Sequence, residues 1–223
     1  MNKGVSDFQH SGSDNDKKYV LTDDKITVIK HNNHEKIEST LYRIKAVRDF
    51  ADVKAGDLGG FVEHDENLSH RGNCWVYDVA LVYDNARIYE NAVIKNKAEV
   101  YGNAKVFGSA KISDKAQIYA QAQVYGYTDI YGKALICGES KVFGNAKVFG
   151  CKISGNARVY DNATIYGSAI IYDNANIYGK AQVSGYAMIH GDARVYDNAR
   201  VNGVYNIVVD AVGDEFYHDD DAY

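Results

Sequence analysis

Few side chains in this 223-residue sequence could carry acid–base or nucleophilic chemistry, and they do not cluster. His190 lies within a long repetitive stretch and could act as a general base. It follows an isoleucine, in a position that tyrosine fills in many other repeats, which favours a structural role for the imidazole. Cys74, Cys137 and Cys151 form no Cys-x-x-Cys pair, so neither a zinc site nor a disulfide framework is predicted. We expect no metal and no cofactor, and enzyme activity stays open but is not favoured.

The elements that position these residues come from a six-residue period. Residues 156–181 read NARVYDNATIYGSAIIYDNANIYGKA, and between Val76 and Ile207 a Val or Ile occupies all 23 of the positions that we call anchors. Helices require apolar spacings of three and four residues, whereas a β-branched residue between outward-facing neighbours is typical of a short strand. Gly or Asp followed by Asn indicates a tight turn, and we assign acids in this position to turn formation.

Three strands and three turns close a coil of 18 residues, which predicts an all-β, single-stranded parallel β-helix of hexapeptide repeats with about eight triangular coils. Val62, Leu68 and Cys74 share one phase, so we expect the coils to begin near residue 62. The array has one shortened step, in which Cys151 takes the place of an alanine. The predicted organisation is a disordered polar arm over 1–18, a β-rich cap with a hairpin over 19–61, the β-helix over 62–210 and an acidic tail over 211–223.

Residues directly after the anchors face outward and sort by threes onto three faces. Faces one, two and three begin at the anchors Val76, Val82 and Ile88. Face three carries an aromatic residue at each of seven such positions: Tyr89, Phe107, Tyr125, Phe143, Tyr160, Tyr178 and Tyr196. Five of the seven residues directly before its anchors are basic: Arg87, Lys105, Lys141, Arg158 and Arg194. A continuous exposed apolar strip of this length is more than a monomer usually shows. We therefore predict that face three is covered, by a second or third copy of the chain or by a different protein, with a nucleic acid as an alternative.

Charge is concentrated at the C-terminus, because residues 206–223 hold six acidic residues and no Lys or Arg in a chain of formal net charge −5. The acids of the predicted tail are Asp214, Glu215, Asp219, Asp220 and Asp221. Such a run could remain solvated, dock on the basic residues of face three or imitate nucleic-acid phosphates. No stretch has the length of a membrane span and the N-terminus lacks an apolar signal-peptide core, so we expect no membrane association and a cytoplasmic protein.

The block before the array carries a family resemblance. Residues 41–80 read LYRIKAVRDFADVKAGDLGGFVEHDENLSHRGNCWVYDVA. The R-x-I-x-A segment, DF-x-DVKAG, GG-F-V, LS and G-x-CW-x-YD resemble the opening of the YdcK-like hexapeptide-repeat family, which occurs in enteric bacteria and in prophages. The resemblance implies a left-handed β-helix, which the period alone does not indicate.

The resemblance bears on function in two ways. Some members carry an acetyltransferase label that follows the fold, and hexapeptide acyltransferases use a base histidine, usually a loop extruded from the coils, and coenzyme A bound between subunits. The strict period leaves no room for such a loop. We therefore predict a non-catalytic binding or scaffold protein that forms homo-oligomers and, by association with phage proteins of this size, inhibits host defence machinery. An acyl-CoA-dependent acyltransferase is the alternative.

Overall fold

The computed structural model describes residues 17–32, 35–204, 206–208, 211–212 and 216–217. Each turn of the chain adds one strand to each of three parallel sheets, so the described residues form a β-solenoid of about eight coils without an α-helix. The predicted hexapeptide β-helix is confirmed. The hand of the coil stays a prediction from the family resemblance. None of the described segments is a helix that could cross a membrane.

The coil strands are short and follow the three predicted faces. Face one is formed by Trp75–Val76, Val93–Ile94, Lys111–Ile112, Asp129–Tyr131, Lys147–Phe149, Thr164–Ile165, Gln182–Gly185, Arg200–Gly203 and Phe216–Tyr217. Face two is formed by Leu81–Val82, Glu99–Val100, Gln117–Ile118, Leu135–Ile136, Lys152–Ile153, Ile170–Ile171, Met188–Ile189 and Asn206–Ile207. Face three is formed by Arg87–Ile88, Lys105–Val106, Gln123–Val124, Lys141–Val142, Arg158–Val159, Asn176–Ile177, Arg194–Tyr196 and Ala211–Val212.

The core is a prism filled by the anchors and closed at its corners by alanines. Anchors such as Val124 and Val142 and corner residues such as Ala122 are fully buried. Backbone hydrogen bonds join each coil to the next. For example, the Lys105 N–H donates to the Ala122 carbonyl at 2.9 Å. Burying one such aliphatic side chain is worth about 1.5–3 kcal/mol. The anchors therefore supply most of the apolar stabilisation and leave the outward residues available for other roles.

The shortened step leaves the stack intact. Gln117 pairs with Leu135 across a regular coil, and Leu135 pairs with Lys152 across the shortened one. The parallel strand pairing of face two therefore continues without a gap. Cys151 is buried in the corner in place of alanine. Burial raises the pKa of its thiol to about 12, so the sulfur stays protonated and acts as a small apolar group.

The first coil differs from the expected period. Val62 pairs with Val82 and Leu68 pairs with Ile88, so this coil is longer than the regular ones, while Cys74 lies at a corner. A short 3₁₀ helix, Asp65–Asn67, takes up the additional residues. The expectation that Val62, Leu68 and Cys74 occupy equivalent positions is therefore wrong.

The N-terminal cap consists of strands β1 (Tyr19–Asn32), β2 (Glu35–Ala46) and β3 (Leu58–Val62). The predicted hairpin is present as the antiparallel pair of β1 and β2, and β2 pairs with β3, which starts the sheet of face two. A Cβ atom on Gly60 would lie 2.5 Å from the Ala80 carbonyl oxygen, so glycine allows β3 to lie against the first coil.

The hairpin covers the first coils of face two. Leu41, Phe61 and Tyr83 form a buried cluster, and Ile26 and Tyr101 pack against it. Tyr83 faces outward from its coil, as its sequence position indicates, yet it is only 3% exposed. The start of face two is thus an internal contact and offers no surface to a partner.

Lys18 closes the open end of the prism. The sequence assigned it to the disordered arm, but the side chain is buried and its Nζ donates to the Cys74 carbonyl at 2.7 Å. It also lies 5.0 Å from the centre of the Phe50 ring. Burial lowers the pKa of the ammonium group. The placement of Lys18 in the arm is therefore wrong, while residues 1–16 lie outside the described part.

The sheets continue beyond residue 210. Val195 pairs with Ala211 on face three and Val201 pairs with Tyr217 on face one, so two backbone segments of the predicted tail extend the solenoid. The tail acids Asp214, Glu215, Asp219, Asp220 and Asp221 lie outside the described residues. Their docking on face three stays a prediction.

Candidate interaction surface

The seven aromatic residues of face three form one uninterrupted stack. Neighbouring ring centres are 4.7–5.0 Å apart and the planes are within 2–9° of parallel. Parallel pairing sets this spacing, because equivalent residues of adjacent coils stand directly above one another. The six steps carry the stack about 29 Å along the solenoid. We call this row of rings the aromatic ladder.

Each ring of the aromatic ladder is partly buried, because neighbouring rings cover both faces of the five inner rings and one face of each end ring. Burial raises the pKa of Tyr89 to about 12, and burial is also the main reason that the pKa values of Tyr125 and Tyr160 are raised. The hydroxyl groups of these three tyrosines therefore stay neutral at physiological pH. Ring pairs of this kind contribute about 0.5–1.5 kcal/mol each, so the ladder also stabilises the solenoid.

A row of cations runs parallel to the ladder on the other side of the anchors. Lys105, Gln123 and Lys141 stand in register on adjacent coils, and Arg158 follows Lys141. The first cation, Arg87, donates from its guanidinium to the Glu66 carbonyl and so is held by the entry coil. The structure thus brings together, on one flat face, the residues that the sequence grouped there.

Face three also carries acidic residues, and they occur only in the coils whose cation is an arginine. The coils of Arg87, Arg158 and Arg194 carry Glu90, Asp161 and Asp197 three residues later, whereas the other coils carry glycine at the same place: Gly108, Gly126, Gly144 and Gly179. The Glu90 carboxylate accepts a bond from the Gly108 N–H at 2.8 Å, and Asp161 accepts one from Gly179 at 3.3 Å. These acids do form turns, as expected. In addition, the arginine coils present cation, ring and acid in that order across face three, and the spacing of these residues in the sequence is the signal for it.

The most exposed rings of the solenoid faces lie elsewhere, on face one. Tyr131, Phe149 and Tyr166 are 37%, 43% and 42% exposed. The rings of Tyr131 and Phe149 are tilted by 37° and do not cover each other as the ladder rings do. Exposure depends on what each ring stacks against, so the residue types alone did not indicate it.

His190 occupies the position of a tyrosine in the outward row of face two. Its ring stacks on Tyr172 with centres 4.7 Å apart, Nε2 contacts the Asn206 amide oxygen, and Nδ1 lies 3.9 Å from the Asp173 carboxylate. Asp173 also accepts the Gly191 N–H at 3.2 Å. The imidazole is therefore held among coil residues, and no nucleophile or extruded loop stands beside it in the described coils.

A second histidine lies in a polar cluster under the cap. His70 Nδ1 accepts the Lys18 N–H at 3.1 Å, and its Nε2 lies 3.2 Å from the Asp65 carboxylate. The pKa of that carboxyl is lowered, mainly by the His70 hydrogen bond. The Tyr19 ring stacks on the imidazole with centres 4.4 Å apart, so the partly exposed His70–Asp65 pair links the start of β1 to the first coil. Within the described residues no group of three or more His, Cys, Asp or Glu side chains could hold a metal ion.

Comparisons with known proteins agree with the repeat architecture. A family model described as the YdcK Beta solenoid repeat matches residues 152–167, 157–173 and 193–203. A protein of Escherichia coli (strain K12), named "Uncharacterized acetyltransferase YdcK", is 36% identical over 62 residues, which are 28% of this chain and 19% of that protein. This chain therefore matches less than a fifth of that relative's length. The resemblance to the YdcK-like hexapeptide-repeat family is confirmed, and the prophage association stays a prediction.

Proposed function

We propose that this chain, a solenoid with repeats of the YdcK type, is a non-catalytic binding protein that pairs with a second copy of itself through face three. The observation that carries the proposal is the unbroken aromatic ladder beside a row of cations on one parallel sheet. Tyrosine and arginine are the residues that most often dominate interface energies. A surface that repeats both, coil after coil, suits a partner with the same repeat.

Symmetry selects one orientation of the pair. Two copies that meet face to face are related by a two-fold axis in the plane of the interface. If that axis is perpendicular to the solenoid, the copies run antiparallel, with cations over cations and rings over rings. If it is parallel to the solenoid, the copies run parallel, and the cation row of each lies over the ladder of the other. Only the parallel pair avoids the repulsion between like charges.

The parallel pair also matches the third position of the face. Arg158 of one copy would lie over a ladder ring of the other and beside the row that contains Asp161. A cation over an aromatic ring is worth about 0.5–1 kcal/mol when exposed and about 2 kcal/mol when desolvated. Face three thus becomes self-complementary in charge as well as in apolar surface.

The orientation can be measured with nitroxide labels on Asn145→Cys and, in a second protein, on Asn198→Cys. Both residues are exposed and lie beside the ladder, at its middle and at its end, whereas the described native cysteines are buried. A parallel pair is expected to give the same label-to-label distance for both variants. An antiparallel pair would bring the Asn145 labels together and separate the Asn198 labels by about the ladder length, about 29 Å.

Light-scattering mass of the unlabelled protein serves as the control for the label experiment. A dimer with equal label distances supports the proposal. A monomer at all concentrations, or distances that differ as in the antiparallel pair, would contradict it.

The relative's name suggests acetyl transfer as the alternative, through His190 as a base. We expect no saturable binding of acetyl-CoA, because the Asn206 contact and the Tyr172 stack hold the imidazole as part of the coil surface. Isothermal titration calorimetry checks this, with His190→Ala as the variant. Saturable binding by the natural protein that is lost in His190→Ala would support the acyltransferase instead. Capture of a host defence protein also stays a prediction.

A further inference from the structure

Three lysines stand in a column at the corner between faces one and two. Lys97 N–H donates to the Asp114 carbonyl and Lys115 N–H donates to the Gly132 carbonyl, both at 2.8 Å, which places Lys97, Lys115 and Lys133 one above another on adjacent coils. All three side chains are exposed. Like charges one above another repel each other, and an anion that lies against the column would remove that repulsion.

In several coils the other two corners carry amide side chains at the same turn position. There the side chains bond to one another along the solenoid: Asn156 to Asn174 at 3.2 Å, Asn174 to Asp192 at 3.0 Å, and Asn145 to Asn162 at 3.2 Å. Amides in this position therefore stabilise the stack. The three coils of the lysine column have charged side chains in place of these bonded amides.

Two further lysines, Lys95 and Lys152, lie on or directly after the strands that flank this corner, and Lys111 and Lys147 stand before the anchors of face one with Asp129 in register between them. We call these four lysines and the column together the lysine edge. Its members are Lys95, Lys97, Lys111, Lys115, Lys133, Lys147 and Lys152. Each is exposed, and none forms an ion pair with any residue in the described part of the chain. The Asp114 carboxylate beside them already accepts bonds from Gly132 N–H at 3.0 Å and from the Asn96 amide at 3.0 Å. Seven exposed lysines, with the acids Asp114 and Asp129 among them, thus form a positive strip on a protein of net charge −5.

Exposed rings accompany the lysine edge. Tyr131 lies two residues before Lys133, Phe149 lies between Lys147 and Lys152, and both rings are more than a third exposed. The shortened step at Cys151 is on the same corner. Cations that track a phosphate backbone together with aromatic rings that stack on bases are the two components of single-strand binding surfaces.

We propose that the lysine edge binds single-stranded nucleic acid. The edge spans about three coil steps, or about 14 Å, enough for a few nucleotides of one strand. A duplex would engage the charges and leave the rings unused, since its bases are already stacked. In a triangular coil this corner is opposite face three, so a pair formed through face three leaves both lysine edges outward.

The test uses the full-length protein and a fluorescein-labelled oligothymidine, followed by anisotropy at several salt concentrations. The affinity is expected to fall with salt, with a slope of about −0.7 per phosphate contacted. Lys97→Glu, Lys115→Glu and Lys133→Glu combined are expected to weaken binding by about tenfold or more and to flatten that slope. The matched control is Lys25→Glu, Lys36→Glu and Lys45→Glu, which makes the same charge change at exposed hairpin positions and should retain binding.

Two further measurements separate the proposal from a general affinity for anions. Tyr131→Ala with Phe149→Ala is expected to weaken binding without altering the salt slope, because stacking releases no counterions. Poly-glutamate and duplex DNA of equal charge are expected to compete poorly. Circular dichroism establishes that each variant is folded. The proposal is overturned if the protein does not bind the oligothymidine at low salt, or if the two triple lysine variants lose affinity equally. It is also overturned if poly-glutamate or duplex DNA competes as strongly as unlabelled single strand.

Discussion

Replacing Val142 with aspartate is expected to leave no folded protein. Val142 is fully buried in the prism and pairs with Val124 on one side and Val159 on the other. A carboxylate there would lie among aliphatic anchors and small corner residues, with no cation beside it among the buried residues of these coils, and burying an unpaired charge costs several kcal/mol after relaxation. A domain of ordinary stability has about 5–15 kcal/mol in total. Soluble yield and the far-UV circular dichroism of β-structure measure the result.

Lys141→Asp is the matched control for Val142→Asp. It places the same carboxylate one residue earlier on the same strand, where the side chain is partly exposed. We expect a soluble protein with an unchanged β spectrum. Soluble Val142→Asp with the natural spectrum would show that the anchors do not point into a closed core.

Tyr125→Ser combined with Phe143→Ser is expected to abolish pairing while the solenoid stays folded. These two rings occupy the middle of the ladder, so their removal interrupts it where a face-to-face partner is most fully desolvated. Central aromatic residues of an interface are often worth about 2 kcal/mol or more each. Because both copies carry the changes, four rings are lost, and we expect pairing to weaken by more than about a thousandfold. Light-scattering mass as a function of concentration measures the loss, and circular dichroism checks the fold.

The matched control is Tyr131→Ser with Phe149→Ser, which removes the same pair of residue types from adjacent coils of face one. We expect this variant to keep its oligomer mass. Tyr101 and Tyr119 on face two are less suitable, because Tyr101 packs against the hairpin cluster. Equal effects of the two double variants, or a larger effect on face one, would place the pairing surface elsewhere. The face-one pair should instead weaken the binding of single strands, so each double variant tests one surface.

The sequence by itself determined the repeat, its three faces and the direction of nearly every outward residue in the array. This was possible because each coil strand is short and each turn is tight. The direction of a side chain therefore depends only on residues within one six-residue repeat. Val or Ile at every anchor and Ala at most corners leave one arrangement that buries them all. The shortened step at Cys151 could be predicted because it interrupts this period. The hairpin of the cap could be predicted because its strand patterns flank a turn close by in the sequence.

Only the tertiary structure decided which of those outward residues are surface. Tyr83 is buried because the hairpin, from a distant and earlier part of the chain, lies on it, and Lys18 is buried because it bonds to Cys74 at the open end. The solvent exposure of each ring depends on the ring one coil away. The ladder rings stack in parallel and cover one another, whereas Tyr131 and Phe149 are tilted and Phe149 stays exposed. The sequence shows the lysines at one corner. It does not show the hydrogen bonds between asparagine side chains that some coils form at the other corners. Exposure and pairing are set by contacts between distant segments, whereas the period is set by neighbours along the chain.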